Sequence, residues 1–275
     1  MKMYNFIQAV EYVAKPQDMG TSKWTLVRGE DDVVYQVKFN QDALSSNINE
    51  FIGNYLGFCI GVPVPDGNFL MIPDNILEEC INNLGFTIDM ETVKNNLFFG
   101  IKWIYGQVNF SNIDLLIEEI KNSTNYKEYP SIFPYDQYLR NADRHIDNHL
   151  IIQHADKQRF YYSIDSDRIF ESYPHNAIEM ILNNFDCFEN PVYEDLYRSI
   201  DDELFAIMLR YADKVDKITD EQIEKIDEYL ESCYECNLDI RELIISFLKT
   251  RRVIVSKCVD NQGCYDSLNN QILIS

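Results

Sequence analysis

The residue pattern changes character at Pro73, and that break limits the chain to a mixed architecture. Before it, Trp24-Thr25-Leu26-Val27 and Val33–Phe39 are rich in β-branched and aromatic residues, as strands are, and Glu30-Asp31-Asp32 between them reads as a hairpin turn. A helix is expected from about Asn47 to Gly57, with Ile48, Phe51, Ile52, Tyr55 and Leu56 on one stripe. Gly61-Val-Pro-Val-Pro65 is a rigid connector, and a short strand from Gly67 stops at Pro73. Beyond Pro73, Ser111–Lys121 and Pro134–Arg140 read as helices. Residues 149–153 and 159–164 form a strand pair about a polar turn, and the last ninety residues read as helices. Thr219-Asp-Glu-Gln222 is a capping box that opens one of those late helices. The order predicts an α+β, two-lobed enzyme, with residues 1–73 as a strand-rich lobe, 74–275 as a helical lobe, and a cleft between them.

Charge narrows the partners. The chain of 275 residues carries a formal net charge of -21, of which residues 74–275 hold -18. Nucleic-acid phosphates and anionic membranes repel such a surface, and no Lys/Arg cluster offsets it. The most apolar run, Tyr55–Pro65, is too short to span a bilayer. Asn5, Gln8 and Glu11 interrupt the N-terminal stretch, which does not read as a secretion signal. Seven cysteines at irregular spacings suit a reducing cytoplasm. Cys233 and Cys236 form a lone C-x-x-C, and the spacing to Cys258 and Cys264 matches no familiar zinc pattern.

The densest polar constellation is Asn141-Ala-Asp143-Arg-His145-Ile-Asp147-Asn148, between a helix and a strand. Asp165 ends the second strand of the following hairpin, which brings it back toward Asn148 and Asp143. An Asp, an Asn and a second Asp converging on one point make a hard oxygen site of the kind Mg²⁺ prefers. One Asp that takes a hydroxyl proton, beside an Asn and an Asp that hold metal, is the logic of phosphoryl transfer. Upstream stand Lys38 on a strand and Glu50 on a helix, the order of parts in protein-kinase-like enzymes. On a helical wheel Glu50 falls roughly opposite the apolar stripe, so solvent exposure, helix-start capping with Asn47 and pairing with Lys38 are all open to it. Gly20-Thr21-Ser22-Lys23 offers backbone N–H groups and hydroxyls that suit phosphate, or an ordinary turn. No G-x-G-x-x-G, Walker A, G-x-S-x-G or zinc-hydrolase pattern occurs.

These stretches, with Tyr35–Phe39, Asn49-Glu50, Leu56-Gly57, the Val-Pro-Val-Pro connector and Phe247-Leu-Lys-Thr-Arg251-Arg252, resemble the HipA-like kinases, a bacterial branch of the protein-kinase-like fold. The resemblance implies ATP and Mg²⁺ as cofactors and a Ser or Thr hydroxyl of a protein as acceptor. It implies Asp143 as catalytic base with His145 beside it, Asn148 and Asp165 as Mg²⁺ ligands, and Lys38, paired with Glu50, on the ATP phosphates. By the same resemblance Gly20, Thr21 and Ser22 stand in the phosphate loop, Met71 and Ile72 lead to the adenine hinge, and Asp74 contacts ribose. After Asp165 the chain reads Ser166-Asp167 where close relatives have Asp-His, so Asp167 competes for the metal. An antitoxin-like partner does not follow from the resemblance. A small-molecule phosphotransferase with a cationic substrate, and a catalytically silent binding module, use the same fold and stay open.

Overall fold

Alternation builds the first strand: in β1 (Phe6–Val13) Ile7 and Ala9 are buried while Phe6, Gln8 and Val10 are exposed. The computed structural model describes residues 3–14, 24–39, 43–84, 90–94, 97–108, 110–141, 143–172, 175, 178, 191–234 and 236–260. β2 (Trp24–Gly29) and β3 (Val34–Lys38) follow as an antiparallel pair. Their turn lies at Glu30–Asp32, as the sequence indicates, with Asp31 Oδ1 accepting from the Val33 N–H at 3.2 Å and Asp32 at φ 61°. β4 (Gly67–Met71) runs parallel to β1 and antiparallel to β5 (Leu97–Lys102), which returns to β3. The five strands close into a barrel in the order β1-β2-β3-β5-β4.

β5 lies past Pro73, so the strand-rich part reaches Lys102, and the change in composition at residue 73 does not mark its end. Between β4 and β5, α2 (Asp74–Asn82) sends Ile76, Leu77, Cys80 and Ile81 into one cluster with Ile7, Val27, Tyr35, Val37, Leu70 and Phe98 of the strands. A short helix, α3 (Met90–Val93), precedes β5.

Alternate barrel residues face the other way. Phe69 and Phe99 pack on Ile48, Phe51, Ile52, Tyr55 and Leu56 of α1 (Ala43–Ile60), in the same cluster as Tyr135, Tyr138, Phe247 and Leu248 of the helical part. Each such fully buried side chain stabilises the fold by roughly 1.5–3 kcal/mol. α1 is thus the element gripped by both parts, and it is longer than the apolar stripe indicates. Its polar face is buried as well, because every polar group found there meets a fixed partner. Asn47 Oδ1 accepts from Phe99 N–H (2.8 Å), and Asn54 Nδ2 donates to Pro65 O (2.8 Å) while its Oδ1 accepts from Tyr4 O–H (3.0 Å).

The chain leaves the barrel through residues 103–108. Trp103 N–H donates to Val34 O, Val108 N–H to Ile151 O and Gln153 N–H to Gly106 O, so this crossing is tied at both ends. Gly106 has φ +89° and a Cβ there would lie 2.5 Å from Gln153 O, so only glycine fits.

The helical part comprises α4 (Ile113–Lys121), α5 (Ile132–Leu139), α6 (Pro191–Arg198), α7 (Asp202–Asp216), α8 (Asp220–Tyr234) and α9 (Leu238–Asp260). Among them lies the hairpin β6 (His149–Gln153) and β7 (Arg159–Ser163), where the sequence places it. The Thr219/Gln222 capping box forms, with Gln222 N–H to Thr219 Oγ1 at 3.2 Å and Thr219 N–H to Gln222 Oε1 at 2.9 Å. The buried Arg251 on α9 donates to Gln137 O of α5, and Arg252 to Ile218 O, which fastens the closing helix to the rest. Among the described residues no helix is long and apolar enough to cross a membrane.

Candidate active site

Lys38 closes β3, and its ammonium is the centre of the site. Nζ lies 2.6 Å from Glu50 Oε1 of α1, 2.5 Å from Asp165 Oδ1 and 3.6 Å from Asp167 Oδ2. Of the places open to Glu50 in the sequence, the structure selects the pair with Lys38, because α1 turns this face to the barrel and not to water. Burial works against the Lys38 charge, but Glu50, Asp165 and Asp167 more than reverse this and hold it protonated.

The acidic loop after β7 is clamped to α1. Glu50 Oε1 also accepts from Ser166 N–H at 3.2 Å, and Asn49 Nδ2 donates to Asp167 O at 2.8 Å. Asp165 sits at φ 67°, the left-handed region, which Asp tolerates better than most residues and which often marks a functional turn. α1 approaches this closely because position 53 has no side chain: a Cβ on Gly53 would lie 2.3 Å from Ser166 Cβ. The Gly53→Ala substitution tests this by sign. In an open helix interior it stabilises by up to about 1 kcal/mol. Here overpacking against Ser166 is expected to destabilise by about 1–3 kcal/mol, read as a lower urea midpoint.

A second loop, 140–148, joins α5 to β6. Arg140 at φ 55° ends α5 with a left-handed residue and pairs with Glu171. Asp136 of α5, fully buried, accepts from Arg144 Nε at 2.9 Å and Nη2 at 2.7 Å, from Asn141 Nδ2 at 3.2 Å and from the Tyr193 hydroxyl. Arg144 Nη1 donates to Ile164 O at 2.7 Å and to Asn148 O at 3.3 Å, so one buried guanidinium ties the loop to the residue before Asp165, which lies past the end of β7 at Ser163 and not on the strand as the sequence indicates. Asn148 Nδ2 donates to Asp143 O at 2.8 Å, whereas its Oδ1 is buried without a partner among the described residues. Asp143 remains 39% exposed; its Oδ2 lies 3.3 Å from Arg168 Nε and 4.0 Å from His145 Nε2. His145 turns its Nδ1 to Asp147 at 3.7 Å.

Glu50 and Asp165 therefore both meet Lys38 at contact distance, while Arg144 links the start of the acidic loop to the loop of Asp143 and Asn148. Gly20, Thr21 and Ser22 lie outside the described residues. Met71, Ile72 and Asp74 are not at the exit from the barrel. The chain runs from β4 into α2 and leaves only after β5, so the crossing is 103–108. Ile72 is buried in the barrel cluster, Met71 is exposed at the end of β4, and Asp74 Oδ2 faces Lys94 Nζ at 3.7 Å. Gly53, Asp136 and Arg168 carry no motif of their own, and Asn49 and Arg144 lie inside motifs that assign them no role. Their signal in the sequence is only proximity to the motifs, and their roles come from contacts across long chain separations.

Three carboxylates, of Glu50, Asp165 and Asp167, offer oxygens within 4.8 Å of one another around a single ammonium, which leaves excess negative charge. Burial raises Asp165, but Lys38 overcomes this and holds its carboxyl well below the usual carboxylate range. Burial, with the nearby Asp165 and Glu50 charges and against Lys38, pushes Asp167 up to about 7. Hard oxygen donors in a cluster with excess negative charge, with Asn148 Oδ1 on the neighbouring loop open among the described residues, fit a divalent cation of the Mg²⁺ class.

A family model described as HipA-like kinase matches residues 10–242. The chain is similar in structure to the Helicobacter pylori proinflammatory kinase CtkA, with a TM-score of 0.60, 14% identity, and coverage of 95% of this chain and 99% of that one. It is also similar to HipA of the Shewanella oneidensis MR-1 toxin–antitoxin system, solved in complex with HipB and its operator DNA; there the TM-score is 0.48 at 10% identity, over 82% of this chain and 57% of that one. No curated protein matches.

Proposed function

The chain belongs to the HipA-like kinase family, and from that membership we propose that it transfers the γ-phosphoryl group of ATP, with Mg²⁺, to a Ser or Thr hydroxyl of a protein. The observation that carries the reading is the convergence of Lys38, Glu50 and Asp165 beside a loop that presents Asp143 and the unpartnered Asn148 Oδ1. The carboxylates outnumber the ammonium they surround, and surplus buried charge beside a buried acceptor left open among the described residues costs stability, which supports a bound cation as the purpose of the set.

In this proposal the barrel and the helical part are the two lobes, divided at the crossing 103–108. Lys38, kept protonated by its carboxylate neighbours, binds the phosphates as a point charge, and Glu50 fixes where that charge sits. Asn148 Oδ1 and Asp165, with Asp167 within reach, would hold Mg²⁺, which supplies charge neutralisation on the phosphates. Asp143, on the more open side, accepts the hydroxyl proton of the acceptor. The charge of -18 on residues 74–275 supports an acceptor with a basic surface. The described cysteines, Cys59, Cys80, Cys233 and Cys236, are free, which supports a cytoplasmic setting.

The test is thermal unfolding with ATP, with and without Mg²⁺. A ligand that binds only the folded state raises the melting temperature, by about 2.7 kcal/mol of added stability at a hundredfold excess over Kd. A rise that needs Mg²⁺ and disappears in Asp165→Ala is expected. No rise in the wild type, with ATP in large excess, removes the nucleotide and leaves a catalytically silent binding module. An unchanged rise in Asp165→Ala moves the metal to Asp167.

A further inference from the structure

The backbone of Asp143 is well held, but its carboxylate is not. Asn148 Nδ2 holds the carbonyl at 2.8 Å, and the Asp143 N–H reaches Asn141 Oδ1 at 3.4 Å. The side chain has two basic neighbours among the described residues. His145 is the farther, at 4.0 Å, and its other nitrogen faces Asp147. Arg168 Nε is the nearer, at 3.3 Å from Oδ2. A half-exposed carboxylate otherwise rotates freely, since its last torsion is broad.

Arg168 has no described partner besides Asp143, and its side chain is 59% exposed. It gains little stability from this pair, because exposed ion pairs contribute close to nothing. Its place in the chain is more telling. It directly follows Asp167, in the loop that Asn49 and Glu50 fasten to α1 and that Ile169 N–H closes onto Ser166 O. The cation that touches the base is therefore carried by the segment that presents the metal ligands.

We propose that Arg168 is a positioning residue for phosphoryl transfer, which rests on the reading of Asp143 as the base: Nε holds Oδ2, so that Oδ1 faces the acceptor hydroxyl. In the step, the acceptor oxygen bonds to the γ-phosphorus as the bond from that phosphorus to the bridging oxygen breaks. ADP leaves with the electron pair, and the hydroxyl proton passes to Asp143. Arg168 touches none of the reacting atoms. It couples the aim of the base to the seating of the acidic loop, so the base is aligned only when that loop is in place.

The experiment measures ADP formation by the full chain with Mg²⁺–ATP, using histone as a basic protein acceptor, for the wild type, Arg168→Ala, Arg168→Lys, Asp143→Asn and the double variant Asp143→Asn/Arg168→Ala. Arg168→Ala is expected to lower kcat roughly 10- to 100-fold, as misplacement of a catalytic group does, with KM for ATP and the melting temperature unchanged. Arg168→Lys, which retains the charge, recovers part of the loss. Adding Arg168→Ala to Asp143→Asn costs nothing further, because there is no carboxylate left to aim. An unchanged or raised kcat in Arg168→Ala beside an active wild type overturns the positioning role and leaves the base assignment standing. A rise in KM for ATP at constant kcat also overturns it, since that assigns Arg168 to the nucleotide. A wild type with no turnover removes the kinase reading and this inference with it.

Discussion

Asp143→Ala is expected to lower phosphoryl transfer roughly 100- to 10,000-fold, the range that a positioned general base contributes. The same variant should keep its melting temperature and its Mg²⁺–ATP shift. Both expectations come from the geometry. Asp143 is partly exposed and Arg168, the nearer of its two basic neighbours among the described residues, is exposed too, so the substitution leaves no buried charge behind. Among the described residues its carboxylate is in no ion pair with Lys38, where the proposal puts the phosphates. Parallel measurement of turnover and of ligand-dependent melting separates the outcomes. Full activity would move the base elsewhere, and a loss of the melting shift would make Asp143 a binding group.

Asp136→Ala is the reverse case. Asp136 and Arg144 are both fully buried and meet through two short hydrogen bonds. Burial works against the Arg144 charge, and Asp136 holds it protonated all the same. Removing the carboxylate strands that guanidinium in the core, which costs about 3–5 kcal/mol. Against a total stability of about 5–15 kcal/mol, the loss takes a large share. It also removes the acceptor of Asn141 Nδ2 and of the Tyr193 hydroxyl, and it loosens the tie from Arg144 to the carbonyls of Asn148 and Ile164. Urea unfolding should show the lower stability, and turnover should fall even below the transition because Asp143 and Asn148 share this loop. A change of midpoint below 1 kcal/mol would show that the pair is not needed to hold the loop. Asp136 carries no motif of its own, so its effect is a sensitive test of the tertiary arrangement.

Local patterns account for several elements. The hairpin β2–β3 is legible in its acidic turn, and β6–β7 in two short apolar runs about a polar one. Thr219 and Gln222 cap α8 as their spacing requires. β1 and β5 are less legible, because a short apolar run does not reveal its partner. β1 is closed by a parallel neighbour far along the chain, and β5 by strands on both sides. The end of the strand-rich part is hidden for the same reason: Met71-Ile72-Pro73 ends a strand convincingly, but only the pairing of β5 shows that the barrel is still incomplete there.

By itself the sequence determined the residue types that chemistry of this kind requires and their order: Lys38, Glu50, Asp143, Asn148, Asp165. Spacing within a loop or hairpin is set by local backbone geometry, so Asp143, Asn148 and Asp165 could be grouped before any fold was known. Only the tertiary structure decided that Glu50 faces Lys38 and not water, because α1 is buried on its polar side as well. It alone decided that Gly53 lets α1 touch the acidic loop, that Arg144 is sealed against Asp136, and that Arg168 reaches Asp143. These are contacts between segments brought together by packing, and side-chain charge or hydropathy at one position does not encode what will be packed against it.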